Sequence, residues 1–145
     1  MMLPLSDSYN LARFIKAQAP IYEQALVELR RGRKTGHWMW FIFPQVAGLG
    51  ISETSRTFAI GSLDEARAYL HHDVLGPRLR ECTQTAIDLE TRTADDIFGG
   101  IDAVKFRSCL TLFVKVSAPD DVFTRALEKF FQGRPDERTL DLLKR

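Results

Sequence analysis

KTGHWMWFIFPQVAGLGIS, residues 34–52, sets six bulky apolar side chains in a row, Trp38 to Phe43, between polar flanks. A bilayer span needs about 20 apolar residues, so the run is a core segment or the wall of a pocket. It has neither period 2 nor period 3.6, and periodicity leaves helix or strand undecided. Pro44 ends it, and Gly48-Leu49-Gly50 gives a flexible turn. Lys34, Thr35 and His37 precede the run; Gln45 and Ser52 follow it.

The rest of the chain supplies a core for this segment. A length of 145 residues fits one domain with a substantial interior. Apolar residues make up 45%, as in globular proteins. Twenty basic against nineteen acidic side chains argue against a broad nucleic-acid or membrane footprint. Cys82 and Cys109 lack CxxC or CxxH neighbours and are expected as buried free thiols. The N-terminus has no signal-peptide pattern, and the cytosol is the expected location.

Helical signals recur on both sides. Met1–Leu5 is read as a tail, and Ser6 or Asp7 as the cap of a first helix carrying Leu11, Phe14 and Ile15. Ile21, Tyr22, Ala25, Leu26 and Leu29 form an amphipathic stripe that ends in Arg30, Arg31, Gly32, Arg33 and Lys34. Ser52 starts a short helix with Arg56 and Phe58. Ser62 or Asp64 caps another. Leu75, Leu79, Cys82, Ala86 and Leu89 form a packing seam. Thr93 caps a short turn that Gly99-Gly100 breaks, and a long helix runs from about Ile101 to Val116. Asp120 or Asp121 opens a helix with Phe123 and Phe130, and a last one holds Leu140. No alternating strand is found. The expected fold is all-α: a compact orthogonal multi-helix single domain, residues 1–145, of about seven or eight helices with little or no β.

One helix contradicts its own pattern. At about 100° per residue, Phe106, Cys109 and Phe113 fall within about 40° of Asp102, with Lys105 nearby on the same arc. Arg107, Thr111 and Lys115 take the opposite, polar side. Asp102 and Lys105 are thus charges on an apolar face. They either pair locally at i, i+3 and meet the helix dipole, or are held where the core opens into a pocket.

These residues define a candidate site. His37 and Asp102 are the acid/base candidates. Lys34, Arg56 and Lys105 would hold an anion. Trp38 and Trp40 are read as core residues of which at least one can line a pocket; in the site they would form an aromatic wall, and Gln45 and Ser52 would orient the ligand. His71 and His72 are adjacent and point about 100° apart, and HExxH or Cys/His spacings are lacking, so no metal is expected. GxxxxGK[ST], GxGxxG and GxSxG are also lacking, and no cofactor is called for.

Longer stretches carry a resemblance. RFIKAQ (13–18), YEQALVELRRGRKTGHWMWFIFPQVAGLGIS (22–52), EARAYL (65–70), LGPRL (75–79) and IFGGIDAVKFRSCLTLF (97–113) resemble a bacterial family, domain of unknown function 1810. Some members of that family are labelled "calpastatin". The resemblance implies a compact, mostly helical single domain and assigns no residue a role. Calpain inhibitors of that name are disordered and poor in apolar residues, unlike this core-forming composition. A fold-level analogy reaches bacterial N-glycosidases related to riboflavin-pathway and ADP-ribose-processing proteins. Their motifs do not match here residue by residue.

Two functions follow as expectations. The first is a binding protein or hydrolase, such as an N-glycosidase, for a phosphorylated or nucleotide-like small molecule. The second is a non-catalytic regulatory or protein-interaction module that uses the basic helix end at 30–34. Nucleic acid ranks third because the charge is near neutral. Neither catalysis nor oligomeric state is fixed by these patterns.

Overall fold

Small polar caps and left-handed glycines divide the chain into nine helices in a computed structural model that describes residues 7–144. Met1–Leu5 and the candidate cap Ser6 lie outside the described residues. Asp7 accepts the backbone N–H groups of Leu11 and Ala12 at 2.7 and 2.9 Å, just ahead of α1 (Ala12–Gln18). Then come α2 (Tyr22–Arg31), α3 (Met39–Ile42), α4 (Glu53–Thr57), α5 (Leu63–His71) and α6 (Leu75–Ile87). The chain continues through α7 (Ala94–Val114), α8 (Val122–Phe131) and α9 (Glu137–Leu143). Ser52, Ser62, Asp121 and Asp136 cap α4, α5, α8 and α9. Thr93 and Asp96 exchange hydrogen bonds in a capping box at α7. Gly32, at φ 76°, turns the chain out of α2.

The expected all-α architecture is observed. The helix absent from the expected count is α3, a single turn inside the aromatic run. Among the described residues, pairing outside helices is limited to one isolated parallel bridge, Val46 to Ile60. The Gly99-Gly100 break is real: Gly99 (φ 77°, ψ 164°) kinks α7 between its capped first turn and its long segment.

That long segment is the centre of the fold, with α3, α5, α8 and α9 packed around it. Phe106 contacts Phe43 at 5.0 Å and Phe98 at 4.6 Å; Phe113 meets Tyr69 at 5.5 Å and Phe123 at 5.7 Å. One residue corrects the helical wheel. Thr111 falls on the polar side of the wheel, yet it is buried, because α9 covers that side. Its hydroxyl donates to the Arg107 carbonyl and accepts the Asp136 N–H, both at 2.8 Å, so burial leaves it satisfied. Cys82 and Cys109 are buried and free, as expected. Burial pushes the Cys82 thiol up to about 12 and raises that of Cys109 well above the ordinary value.

α3 owes its orientation to Gln18. This buried side chain donates to the Phe41 carbonyl at 2.7 Å and to the Tyr69 hydroxyl at 3.0 Å. Trp38 and Phe43, at the two ends of the turn, are therefore sealed in the core, while Trp40 is left half-buried at its edge.

Candidate functional site

The loop carrying Lys34 to Trp38 is built around one carboxylate. Glu28, 1% exposed, accepts the N–H groups of Thr35 and Gly36 at 2.7 Å, Trp38 Nε1 at 3.0 Å and Gln24 Nε2 at 2.8 Å. Burial alone would raise its pKa, but the backbone donors of Gly36 and Thr35, with the two side-chain donors, outweigh burial and hold it at about 2. Glu28 is not among the candidate residues that the sequence alone identifies. Its signal was a carboxylate about 60° from Ala25, at the edge of the α2 apolar stripe.

The same loop delivers Lys34 to α7. Its backbone N–H donates to the Ile97 carbonyl at 2.7 Å. Its Nζ lies 2.7 Å from Asp102 Oδ2 and also donates to the Gly36 carbonyl. The Lys34 side chain is 6% exposed, and its ammonium stands 5.0 Å from the centre of the Trp38 ring. On the other side of the carboxylate, Lys105 Nζ lies 3.3 Å from Asp102 Oδ1 and 4.7 Å from the Trp40 ring centre. Both readings of the Asp102–Lys105 pair therefore have their geometry: the i, i+3 contact forms, and it borders an opening.

Burial works against the ionised form of Asp102, but Lys34, by hydrogen bond and charge, and then Lys105 hold its carboxyl below the ordinary value. Asp102 is thus held in its ionised form, the form that accepts a proton or stabilises a positive charge.

Lys34, His37, Trp40, Ser52, Asp102 and Lys105 all line one cavity of about 340 Å³, together with Met39 and Thr54. Six of the nine residues singled out from the sequence thus meet here. Gln45 lies in an adjoining groove of about 620 Å³, and Trp40 and Lys105 line both spaces. The remaining two line neither space. Trp38 is fully buried against Phe43 with its indole N–H on Glu28; it is core, not an aromatic wall. Arg56 is exposed beside the inward-facing Ser55 and, unlike the exposed His37 and Thr54, does not line this cavity. Arg30, Arg31 and Arg33 form the solvated end of α2. Thr54 went unread because a threonine inside a short helix carries no distinguishing pattern.

His37 and Thr54 are exposed at the mouth. Ser52 Oγ accepts the Ser55 N–H at 3.1 Å, and its own proton remains available as a donor. No group of three or more His, Cys, Asp or Glu side chains suited to a metal forms among the described residues. No helix among them is long and apolar enough to cross a membrane.

Residues 8–143 match the family described as "Protein of unknown function (DUF1810)". The crystal structure of a conserved hypothetical protein, Rv1873, from Mycobacterium tuberculosis is similar, with a TM-score of 0.93 at 47% identity over 96% of this chain and 99% of that one. No curated protein matches the sequence.

Proposed function

The chain belongs to the DUF1810 family of proteins of unknown function, and we propose that it binds the phosphate, or an equivalent anion, of a nucleotide-like small molecule. The supporting observation is the convergence of Lys34, Lys105 and His37 on one cavity around a single carboxylate, Asp102. Two ammonium groups against one carboxylate leave a net positive charge in a partly desolvated space, where Coulomb attraction is stronger than in water. Lys34 is committed to Asp102 and the Gly36 carbonyl. Lys105, more exposed and more loosely paired, is the cation that can turn to a ligand. The hydroxyls of Ser52 and Thr54 add donors at the rim.

A second reading, hydrolysis of an N-glycosidic bond, draws on the ionised state of Asp102. A fixed carboxylate can stabilise an oxocarbenium-like carbon and take the proton of the water that adds to it as the C–N bond breaks and the base departs. His37 is then the group that protonates the leaving base. A regulatory module would show binding without turnover.

Calorimetric titration with ribose 5-phosphate and nucleoside 5′-monophosphates tests the proposal. Lys105→Ala should weaken binding about tenfold and His37→Ala less, each with an unchanged helical circular-dichroism spectrum. Wild-type protein that binds none of these probes, or variants that bind them equally well, would overturn it. Chromatography of the same mixtures for released base separates hydrolase from binding protein.

A further inference from the structure

We infer that the groove beside the anion cavity is the recognition half of the same site, and that Gln45 reads a carbonyl oxygen or ring nitrogen on the uncharged, planar part of the ligand. This rests on the anion reading for the ligand's other end.

The groove's walls are apolar: Leu49, Ile51, Ile101, Val104 and Trp40. Ile51, Ile101 and Val104 are 86%, 78% and 59% exposed. Among the described residues they are half of the large apolar side chains left exposed, and they gather on one groove. Scattered exposed apolar residues need no explanation, but clustered ones mark a binding surface.

Against these walls stands Gln45, 2% exposed. Its Nε2 is the one buried side-chain nitrogen or oxygen among the described residues that lacks a hydrogen-bond partner. Leaving such a donor unpaired costs about 1–3 kcal/mol. Its backbone is fixed: Pro44 precedes it, and its carbonyl accepts the Ile60 N–H at 2.9 Å beside the Val46–Ile60 bridge. The polar side chains of Ser108, Asp136 and Arg138 in the groove have protein partners. Ser108 Oγ donates to the Val104 carbonyl at 3.1 Å and lies 3.2 Å from Asp136 Oδ2, and Arg138 reaches the Gly48 carbonyl at 3.3 Å.

Trp40 and Lys105 join the two spaces. A ligand whose anion meets Lys105 can lay a flat ring along Trp40 and bring an acceptor to Gln45. An anion with an apolar heteroaromatic group bearing a carbonyl or ring nitrogen fits that description; a bare sugar phosphate occupies only the cavity.

Titration of uridine and inosine 5′-monophosphates, the two nucleosides, and ribose 5-phosphate against wild type, Gln45→Met and Val104→Trp tests this. Val104→Trp fills the groove from an exposed position. Nucleotide affinity should fall about tenfold in Gln45→Met and vanish in Val104→Trp, with ribose 5-phosphate binding unchanged in both. Gln45→Met should melt no lower than wild type, since it removes an unpaired donor. Nucleotides that bind no tighter than ribose 5-phosphate, or that ignore both substitutions, overturn the groove's role and leave the anion reading standing. Nucleosides that bind through Gln45 while phosphate adds nothing keep the groove and remove the anion reading. Failure of every probe overturns both.

Discussion

Trp38 donates its indole N–H to Glu28 at 3.0 Å, and the same oxygen receives the backbone N–H groups of Thr35 and Gly36. One side of the cavity that Lys34 and Lys105 line thus hangs from a carboxylate on a neighbouring helix. Glu28→Ala leaves the buried Trp38 indole N–H and two part-buried backbone N–H groups without their acceptor. The expected loss is about 3 kcal/mol, or roughly 10 °C in Tm for a domain of this size. A thermal melt within 2 °C of wild type would show that the loop holds itself.

Acid should loosen the same contact. The Glu28 pKa is depressed from the ordinary 4.5 to about 2. A depressed folded-state value contributes stability that is complete above the unfolded pKa and is lost as pH falls through the folded one. About 3 kcal/mol should therefore disappear between pH 4.5 and 2. Asp102 and Asp121 are lowered too and add loss of the same sign. Urea titrations at stepped pH should show this slope in wild type and a shallower one in Glu28→Gln. Equal slopes would dismiss Glu28 as the source.

Asp102→Asn separates stability from binding. It leaves the nearly buried Lys34 ammonium without its counter-charge, at a cost on the order of 2 kcal/mol. It also removes the negative charge that opposes an incoming anion, so ribose 5-phosphate affinity should rise severalfold. A fall in affinity at constant fold would mean that Asp102 touches the ligand itself.

Two glycines should respond in opposite directions to alanine. A Cβ on Gly76 would lie 2.0 Å from the Leu70 carbonyl oxygen, so α5 and α6 would have to separate. Gly76→Ala should cost about 3 kcal/mol. A Cβ on Gly100 would meet nothing within 4 Å. Gly100→Ala should be neutral or stabilise by up to about 1 kcal/mol through the unfolded chain. Differential scanning calorimetry reads both, and similar Tm values would contradict the crowding at Gly76.

The sequence exposes some of this site because a charge on an apolar helical arc is a local contradiction. Asp102 and Lys105 were legible for that reason, and so were the capped helices with regular stripes. The pairing of Lys34 with Asp102 was not, because it depends on how a loop after α2 returns to α7. Glu28 was missed because three of its four donors are backbone groups or an indole, and backbone donors leave no letter in the sequence. Trp38 and Trp40 were read alike, yet two positions along a helical turn differ by about 200°, so one faces the core and the other the cavity. Which does which is set by Gln18 gripping the Phe41 carbonyl.

That division has a spectroscopic consequence. Trp38 and Trp40 are the chain's two tryptophans. One is sealed in the core beside Glu28, and the other stands under Lys105 between the cavity and the groove. In the proposed site Trp40 would respond to a ligand through its own ring, whereas Trp38, sealed from solvent, would respond only through the Lys34 ammonium 5.0 Å from it. With Trp38 replaced by phenylalanine, the remaining fluorophore would report occupancy of the proposed site, shifting in colour and yield where a ligand displaces water from its ring.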